Sequence, residues 1–418
     1  MPQQHRKLIA ILVDGLSADY FDAHRQRMPH LSAMAEDGTR VVRLASAVPA
    51  TSMPGRATML TGAPPERHGA WGNHIFDGQT FRCALANDLK VPTIAGRARA
   101  AGRDVAAIGH AMVHPGDADC FYPPWWLRGF VDGSRFAKSA RLDGGIYTDH
   151  VLDPDDRLAA AMVADGPLLL SADLAEDAAA ALMNGMHNDQ RSLAAVAALA
   201  CSDSPPDLIL TEVAMTDAIQ HLHGFASDPA HWAFATADLL IGSLLQRLEK
   251  AGRLDEYVVA VCSDHGHAQM ETALFPGAIL PDHLWEAEGA TLHVVARSAA
   301  ERREAAERLA PFGVTELDST HVPEPHRDRI ATFVAPDRHS FEAKPDGLPA
   351  EQTMGPPKYV STHGLRPGDP ADDRFCAFYG AGIGRGSIDR AVSEDYLPML
   401  AGILELPATD GDRPDLLG

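Results

Sequence analysis

The sequence contains no apolar run long enough to cross a membrane. A membrane-spanning helix needs about 20 mostly apolar residues, whereas the N-terminal stretch KLIAILVD has a short apolar core that ends at an acid. That core is also too short, and too closely followed by a charge, for a secretory signal. We therefore expect no membrane partner and a cytoplasmic protein, or a periplasmic one if a signal segment has been removed.

Closely spaced cysteines are also missing. The chain has five cysteines with no Cys-x-x-Cys spacing: Cys83, Cys120, Cys201, Cys262 and Cys376. This pattern argues against a thiolate zinc site and against a disulfide framework. The odd number favours reduced thiols.

Positive charge is scarce. Lys and Arg number 36 against 57 Asp and Glu, which gives a formal net charge of −21. A nucleic-acid duplex or an anionic membrane would be repelled at long range by such a surface, so neither is expected as the main partner. A local positive site can still bind an anion.

What the chain does contain is a series of buried-looking strands. The runs LIAILV, DLILTEV, YVVAVCS and FCAFYG are continuously apolar or nearly so, and helical segments such as ADLLIGSLLQRLEKAGR lie between such runs. Continuous apolar strands separated by helices are typical of a parallel sheet that is covered on both faces. The sequence therefore predicts an α/β fold.

Three aspartates follow three of these runs. They are Asp14, Asp217 and Asp264. Open parallel sheets bind their ligands at the carboxyl ends of the strands, so this placement suits a functional site. An aspartate after a strand is equally typical of a helix N-cap or a turn, and position alone leaves its role open.

Two segments interrupt the alternation of strands and helices. Residues 115–160 are rich in Pro, Gly and aromatic residues and are interpreted as an inserted lid, and residues 285–358 as a smaller inserted subdomain. The core then consists of residues 1–114 with the nucleophile, residues 161–284 with metal ligands, and residues 359–418.

Histidines accompany the aspartates. Asp217 and His221 stand four apart, which places both side chains on one face of a helix and within reach of one metal ion. Asp264 and His265 are adjacent at a strand end, and His363 lies in a further His-Gly pair. Such a mixed oxygen and nitrogen set suits zinc, and less tightly manganese or iron; it is too rich in histidine for magnesium alone.

Most of the 20 histidines need no such role. A single histidine is more often a solvated or capping residue than a ligand, and on that ground we assign no function to several of them: His68, His110, His114, His223 and His267.

Five short motifs, taken together, carry a family resemblance. They are VDG at 13–15, TSMPGRATMLTGAPPERHGAWGN at 51–73, TDAIQHLHG at 216–224, SDHG at 263–266 and THG at 362–364. In this order they resemble the alkaline phosphatase superfamily, and within it the nucleotide pyrophosphatase/phosphodiesterase-like branch. The resemblance implies an alkaline phosphatase-like core, with a mostly parallel sheet flanked by helices and with inserted cap or lid segments.

The resemblance also implies two divalent metal ions, with zinc as the first choice and manganese as the alternative. One ion would be held by Asp217, His221 and His363. The other would be held by Asp14, Asp264, His265 and the oxygen of Ser52.

The resemblance assigns the nucleophile to Ser52, which stands two residues before Pro54 and ten before the glycine of the Thr-Gly pair. Thr51 is the neighbouring hydroxyl. Pro54 suits the first position of a helix, whose N-terminus would attract an anion. Asn73 is placed to contact a phosphate oxygen, and we assign Arg56 to substrate binding as well.

The function implied is that of a dinuclear metal-dependent hydrolase. It would cleave a phosphodiester, a phosphomonoester or a phosphonate, in a small-molecule substrate, through a covalent phosphoserine at Ser52. Two alternatives are a phosphonoacetate-type hydrolase of a C–P bond and a metal-stabilised binding protein, which would have to lack a ligand or the nucleophile. None of these residues is missing.

A sulfatase is the third alternative. Phosphodiesterases of this branch usually follow the proline with Asn-His, whereas this chain has Gly55 and Arg56. The resulting Ser-x-Pro-x-Arg pattern resembles the sulfatase signature, in which the first residue becomes a formylglycine. Against it, Asp14 is a single aspartate followed by glycine, where a sulfatase has an aspartate pair.

Aromatic residues of the predicted lid leave two interpretations open. Trp125, Trp126 and Phe130 could stack a nucleobase, or they could pack the insertion onto the core.

Overall fold

The computed structural model describes residues 5–133, 135, 151–162, 178–409 and 411–417. The strands of this part of the chain are β1 (Lys7–Val13), β2 (Thr39–Ala45), β3 (His74–Phe76), β4 (Phe81–Cys83), β5 (Val105–Ile108), β6 (Cys120–Tyr122), β7 (Leu208–Val213), β8 (Tyr257–Cys262), β9 (Ala268–Gln269), β10 (Thr272–Leu274), β11 (Trp285–Glu288), β12 (Thr291–Val295), β13 (Thr315–Glu316), β14 (Ile330–Val334), β15 (His339–Phe341), β16 (Met354–Gly355), β17 (Ser361–Thr362), β18 (Arg374–Gly380) and β19 (Gly386–Val392).

The α-helices of the same part of the chain are α1 (Ala18–His24), α2 (Pro29–Asp37), α3 (Ser52–Thr61), α4 (Pro65–His68), α5 (Ile94–Ala100), α6 (Leu127–Gly133), α7 (Arg157–Met162), α8 (Ala178–Ala200), α9 (Met215–His223), α10 (Asp228–Lys250), α11 (Pro276–Ile279), α12 (Ala299–Leu309), α13 (Glu324–Arg327) and α14 (Tyr396–Ile403). Within the described ranges, no helix has both the length and the apolar character needed to span a bilayer. All five cysteines are free thiols, as the sequence predicts.

A central sheet of eight strands has the order β19-β2-β18-β8-β1-β7-β5-β6. Its neighbours are parallel except where β18 pairs with β8 and with β2. The four apolar runs of the sequence form β1, β7, β8 and β18, so the predicted α/β fold with a mostly parallel sheet is confirmed. The run FCAFYG is the exception. Strand β18 starts beside the last residue of β8 and runs back along it, so it is antiparallel to β8 and to β2.

The central strands are buried on both faces. In β1, Leu8 and Leu12 point into one apolar cluster, together with residues of α3, α5 and α14. Ile9 and Val13 point into a second cluster, together with residues of α1, α2, α8 and α10. Successive side chains of a strand face opposite sides, so a strand covered twice has no polar face. This is why the run LIAILV does not alternate.

Helix α3 begins earlier than the sequence suggests. The expectation was a start at Pro54, but the carbonyl of Thr51 already accepts a hydrogen bond from the Gly55 N–H at 2.9 Å, and the first helical residue is Ser52. Pro54 is tolerated there because the first N–H groups of a helix have no intrahelical partner. The helix ends at Gly62, whose φ is 60°.

Close packing fixes α3 against the loop that follows β8. A Cβ atom added to Gly55 would lie 2.4 Å from the backbone oxygen of Asp264. Contacts this short do not occur between real side chains and backbone, so only glycine allows the helix to approach the loop at this point.

A second, smaller sheet lies within the predicted segment 285–358. Its order is β11-β12-β14-β13, all neighbours are antiparallel, and it has its own apolar cluster with α12. In the predicted lid 115–160, β6 lies at the edge of the central sheet, while residues 134 and 136–150 lie outside the described residues. The predicted domain boundaries stay a prediction.

Replacing Gly55 by alanine tests whether this contact positions the helix. Gly55→Ala should lower the free energy of unfolding by about 1–3 kcal/mol, because the new methyl group overpacks a rigid backbone contact. Thermal or urea unfolding measures the loss. The control is Gly384→Ala, where an added Cβ meets nothing within 4 Å. Equal stabilities of the two variants would contradict the proposed contact.

Candidate active site

The three aspartates meet at one edge of the central sheet. Asp14 directly follows β1, Asp264 follows β8 by two residues, and Asp217 is the third residue of α9, which follows β7. Strand β1 pairs with both β7 and β8 in parallel, so the three strand ends are neighbours. The chain thus forms a polar cluster where α/β sheets commonly bind ligands.

The first half of this cluster, here the first half-site, consists of Asp217, His221, His267 and His363. Nε2 of His267 lies 2.6 Å from one carboxylate oxygen of Asp217, and Nε2 of His221 lies 3.3 Å from the other. Both rings are held from behind by Ser361: its carbonyl accepts from Nδ1 of His221 at 2.8 Å, and its hydroxyl lies 2.9 Å from Nδ1 of His267.

Sequence reasoning missed His267, which we had set aside as a residue without function. The available signal was its spacing, because His265 and His267 stand two apart in SDHGH directly after a strand. Of the other histidines set aside, His68 bonds to Thr58, and His114 and His223 are exposed. His110 is buried near Arg56 and Glu212, where its ring faces the carbonyl of Ala111.

The second half of the cluster, the second half-site, consists of Asp14, Asp264, His265 and Ser52. Nε2 of His265 lies 3.4 Å from a carboxylate oxygen of Asp14, 3.4 Å from one of Asp264 and 3.1 Å from Oγ of Ser52. Nδ1 of the same ring faces the carbonyl of Gly266 at 3.0 Å. A carbonyl only accepts, so Nδ1 carries the proton and Nε2 presents a lone pair to Ser52 and the carboxylates.

The donors of both half-sites fit divalent cations. Burial lowers the pKa of His265 and of His363, and lowers that of His267 to about 4, so these rings are neutral near pH 7. For His221, burial would lower the pKa, but the charge of Asp217 outweighs it and raises the pKa. A carboxylate oxygen of Asp14 and Nδ1 of His363 are buried without a hydrogen-bond partner. Neutral imidazoles that face carboxylates, with buried acceptors left over, are the arrangement that a cation would complete.

Arg56 lies inside this cluster, fully buried. Its guanidinium donates to a carboxylate oxygen of Asp14 at 2.5 Å, to one of Asp264, and through Nε to Glu212 at 3.2 Å. Burial would lower the pKa of Arg56, but the charges of the three carboxylates outweigh this effect and raise the pKa above its ordinary value. For Asp264, burial would raise the pKa and the Arg56 charge holds it below its ordinary value.

The partner Glu212 was not predicted. It is the fifth residue of β7 and stands within an otherwise apolar run, so the sequence carries no signal beyond a charge in a buried strand. The side chain of Arg56, assigned to substrate binding from the sequence, does border the cavity beside the cluster. Its donors are directed to carboxylates of the protein, and its role toward a substrate stays a prediction.

Ser52 and Asn73 meet at the start of α3. The side-chain oxygen of Asn73 accepts from the Met53 N–H at 2.8 Å. Since an N–H can only donate, the amide oxygen is the atom that faces it, and the NH₂ group of Asn73 is left for the cavity. The hydroxyl of Thr51 donates to Glu288 at 3.2 Å, so of the two neighbouring hydroxyls it is Ser52 that faces His265 of the second half-site.

Glu288 is a further residue that sequence reasoning missed. Its carboxylate accepts from the backbone N–H of Asn73 at 2.8 Å, from that of His74 at 2.7 Å and from Thr51. Burial would raise its pKa, but hydrogen bonds to His293 and His74 hold the pKa well below its ordinary value. It therefore stays ionised and fixes the turn that carries Asn73. It comes from β11, in the segment predicted as a separate subdomain.

A cavity of about 670 Å³ opens beside the cluster. Aromatic side chains form much of its wall: Trp125, Trp126, Phe130, Trp285, Phe341 and Tyr359. This volume and lining suit a small organic ligand.

Two adjacent tryptophans of this wall are anchored to buried acids. Nε1 of Trp125 donates to Asp189 at 2.8 Å, and the other oxygen of Asp189 accepts from the first N–H groups of α9, which carries Asp217. Trp126 donates through Nε1 to Glu212, the acid that also holds Arg56. Each indole is thus joined through one carboxylate to one half-site.

Comparison with known proteins places this geometry in a family. Over residues 8–362 the chain matches the family described as type I phosphodiesterase / nucleotide pyrophosphatase. It is 26% identical over 313 residues to alkaline phosphatase PhoK of Sphingomonas sp, a match that covers 62% of this chain and 55% of PhoK. A segment of 89 residues is 35% identical to an uncharacterized pyrophosphatase/phosphodiesterase of Schizosaccharomyces pombe, covering 21% of this chain and 18% of the relative. The chain thus spans about half, or less, of the length of these curated relatives.

Solved structures agree on the fold. Human ectonucleotide pyrophosphatase/phosphodiesterase 5 superposes with a TM-score of 0.67 at 17% identity, covering 97% of this chain and 96% of that chain. An inactive variant of the murine protein in complex with AMP gives 0.68 at 15% identity and the same coverage. The family match runs from β1 to β17 and includes the aspartates at the strand ends and the start of α3, and the chain belongs to the type I phosphodiesterase / nucleotide pyrophosphatase family.

Proposed function

We propose that the chain is a metal-dependent hydrolase of phosphodiesters that acts through a covalent phosphoserine at Ser52. The observation that carries this proposal is the position of the Ser52 hydroxyl. It lies at the N-terminus of α3, 3.1 Å from His265 of the second half-site, and it borders the same cavity as Asp217, His221 and His363 of the first.

The ligand sets follow from the two half-sites. Asp217, His221 and His363 would hold one divalent ion; Asp14, Asp264, His265 and the Ser52 oxygen would hold the other. Zinc suits this mixture of imidazole and carboxylate, and manganese is the alternative. When bound, such ions would supply Lewis-acid chemistry: they would lower the pKa of the attacking hydroxyl and offset the charge that develops during displacement.

The residues of the chain perform the remaining tasks. Ser52 Oγ attacks phosphorus, its bond to phosphorus forms as the bond to the leaving alcohol breaks, and the alcohol departs with a proton. The N-terminus of α3 contributes partial positive charge next to the phosphoryl group, and the NH₂ group of Asn73 donates to a non-bridging oxygen. The serine-bound phosphoryl group still carries the second alcohol of the substrate. Water then attacks its phosphorus, the bond from phosphorus to Ser52 Oγ breaks, and the phosphate monoester leaves as Ser52 regains its proton.

The volume and lining of the cavity favour a small phosphate ester as the substrate, and a nucleotide is the first class of ester to test. Its aromatic wall offers flat apolar surfaces for a base, and the murine relative of the same fold is described in complex with AMP. Cleavage of bis-p-nitrophenyl phosphate by the metal-loaded chain tests the proposal. Faster cleavage of a phosphonate would instead favour the C–P hydrolase alternative, and no cleavage of any of these esters would favour a binding protein.

Ser52→Ala should remove turnover and leave the metal ions bound. The hydroxyl supplies only one ligand of its ion, whereas a lost nucleophile lowers kcat by about three orders of magnitude or more. Ser52→Thr should retain part of the activity, since the family that the chain resembles has threonine at this position. Steady-state kinetics and metal analysis measure both effects. A wild-type rate in Ser52→Ala would refute the covalent mechanism, and a formylglycine mass at this position would favour the sulfatase.

Asn73→Asp should separate catalysis from structure. The aspartate keeps an oxygen for the Met53 N–H at the start of α3, where a negative charge is favourable, so the free energy of unfolding should change by less than about 1 kcal/mol. It replaces the NH₂ donor by a negatively charged oxygen, so we expect kcat/KM to fall by at least about 10²–10³, through the lost donor and through repulsion of the phosphate. Asn87→Asp, at an exposed position, is the control. Reduced stability with an unchanged kcat/KM would mean that Asn73 only closes the turn.

Asp217→Ala should empty the first half-site, because its carboxylate lies between His221 and His267 and belongs to both candidate metal clusters that include residues of this half-site. We expect one metal equivalent to be lost and turnover to be largely abolished. Elemental analysis and the diesterase assay are the measurements, with Asp203→Ala, at an exposed loop position, as the control. Near-full activity of Asp217→Ala would remove the proposed metal assignment.

A further inference from the structure

The two half-sites differ in their donor atoms. The first half-site offers three imidazoles and one carboxylate, since His267 lies next to Asp217 together with His221 and His363. Ligand atoms of Asp217, His221 and His267 all lie within 4.8 Å of one another, and so do those of Asp217 and His363 together with His265. The second half-site offers two carboxylates, a hydroxyl and one imidazole, the ring of His265.

His267 is oriented toward the same carboxylate as His221. Nε2 points at the carboxylate of Asp217 from 2.6 Å, and Nδ1 is held by the Ser361 hydroxyl at 2.9 Å. His221 has the same arrangement, with Nδ1 held by the Ser361 carbonyl and Nε2 directed at Asp217. A metal-binding histidine typically has its second ring nitrogen fixed by a hydrogen bond of this kind. One serine therefore orients two imidazoles around one carboxylate.

Arg56 distinguishes the second half-site. Its guanidinium binds one oxygen of Asp14 and one of Asp264, the two carboxylates that a second ion would also need. Glu212 fixes it in place from the far side. A buried positive charge that shares both carboxylates lowers the attraction of the site for a further cation, because like charges repel strongly where water is excluded. The carboxylate oxygen of Asp14 that has no hydrogen-bond partner is still available as a ligand atom for a metal ion.

We propose that the two half-sites hold metal ions of different class and strength. The first half-site binds a zinc-type ion tightly with His267 as an additional ligand, and the second binds an oxygen-preferring ion such as Mn²⁺ more weakly because Arg56 occupies part of its carboxylates. Imidazole donors favour zinc, and carboxylate and hydroxyl donors suit manganese or magnesium. The inference rests on the proposed function in so far as that function assigns metal ions to both half-sites.

Metal titration of the full chain tests the inference without relying on activity. The protein is stripped with a strong chelator and equilibrated with a series of buffered free Zn²⁺ concentrations, and bound zinc per chain is measured by elemental analysis. We expect two transitions separated by at least about tenfold in free zinc. Adding Mn²⁺ to the chain that holds one zinc should fill the second half-site. A single transition that takes up two equivalents, or Mn²⁺ that displaces the first zinc, would overturn the inference.

His267→Met tests the additional ligand. It removes the ring nitrogens and leaves an apolar side chain of similar length. The first transition should move to more than about 100-fold higher free zinc while the second stays in place, because a shift of only about 10–100-fold is the loss expected for an outer-shell hydrogen bond to Asp217 and would contradict a ligand role. His223→Met, at the exposed end of α9, is the matched control. Coincident uptake curves for His267→Met and the unmodified chain would show that His267 is no ligand.

Arg56→Met tests the internal cation. It removes the positive charge, so the second transition should move to at least about tenfold lower free metal; Arg366→Met, at an exposed position, should leave it unchanged. Arg56→Lys keeps a positive charge and should move the transition less than Arg56→Met does. Equal shifts for both substitutions would contradict the charge argument. If circular dichroism shows that neither variant folds, the zinc titration of the unmodified chain alone decides whether the two half-sites differ in affinity.

The diesterase assay tests the proposed function, and the metal titration tests the inference on unequal metal sites. A chain that cleaves bis-p-nitrophenyl phosphate but takes up both ions in one transition retains the proposed function and loses this inference. A chain that shows two transitions and cleaves no ester retains unequal metal sites and loses the proposed function.

Discussion

The ionic contact between Arg56 and three buried acids organises the candidate site. Asp14 follows β1, Asp264 follows β8 and Glu212 belongs to β7, so one guanidinium from α3 ties the helix to three adjacent strands. Leaving any of these charges unpaired in the interior would be costly, which makes the contact all-or-none. Because Ser52 lies one turn before Arg56 on the same helix, the position of the hydroxyl depends on this cluster.

Much of this arrangement could be predicted from the sequence because it follows from strand ends and helix spacing. Asp14 and Asp264 directly follow apolar runs, and Asp217 and His221 stand one helical turn apart, so local rules predict the positions in the fold at which the structure has them. The antiparallel direction of β18 could not be predicted in this way, because its apolar run looks the same in either direction. The direction of a strand depends on whether the chain enters it beside the first or the last residues of the neighbouring strands.

Two of the residues missed, Glu288 and Glu212, act through a partner distant in sequence. Glu288 fixes Asn73 across 215 positions, and Glu212 holds Arg56 across 156. No periodicity of the chain carries such information. His267 was missed for another reason, since it stands next to residues that were identified; its neighbour His265 accounted for the local pattern, and the orienting hydroxyl of Ser361 lies 94 positions away.

The anchoring of Trp125 and Trp126 has a consequence for how the cavity of this chain can change in evolution. In many enzymes the wall that selects the substrate is separable from the reactive centre, so substrate range drifts while chemistry is preserved. Here the two indole N–H groups satisfy Asp189 and Glu212, and those acids support α9 and Arg56. Exchanging either tryptophan for an aliphatic residue would leave a buried carboxylate short of a donor. New selectivity is therefore more accessible through Phe130, Phe341 or Tyr359 on the remaining wall, and the tryptophan pair constrains the route that divergence or laboratory evolution can take.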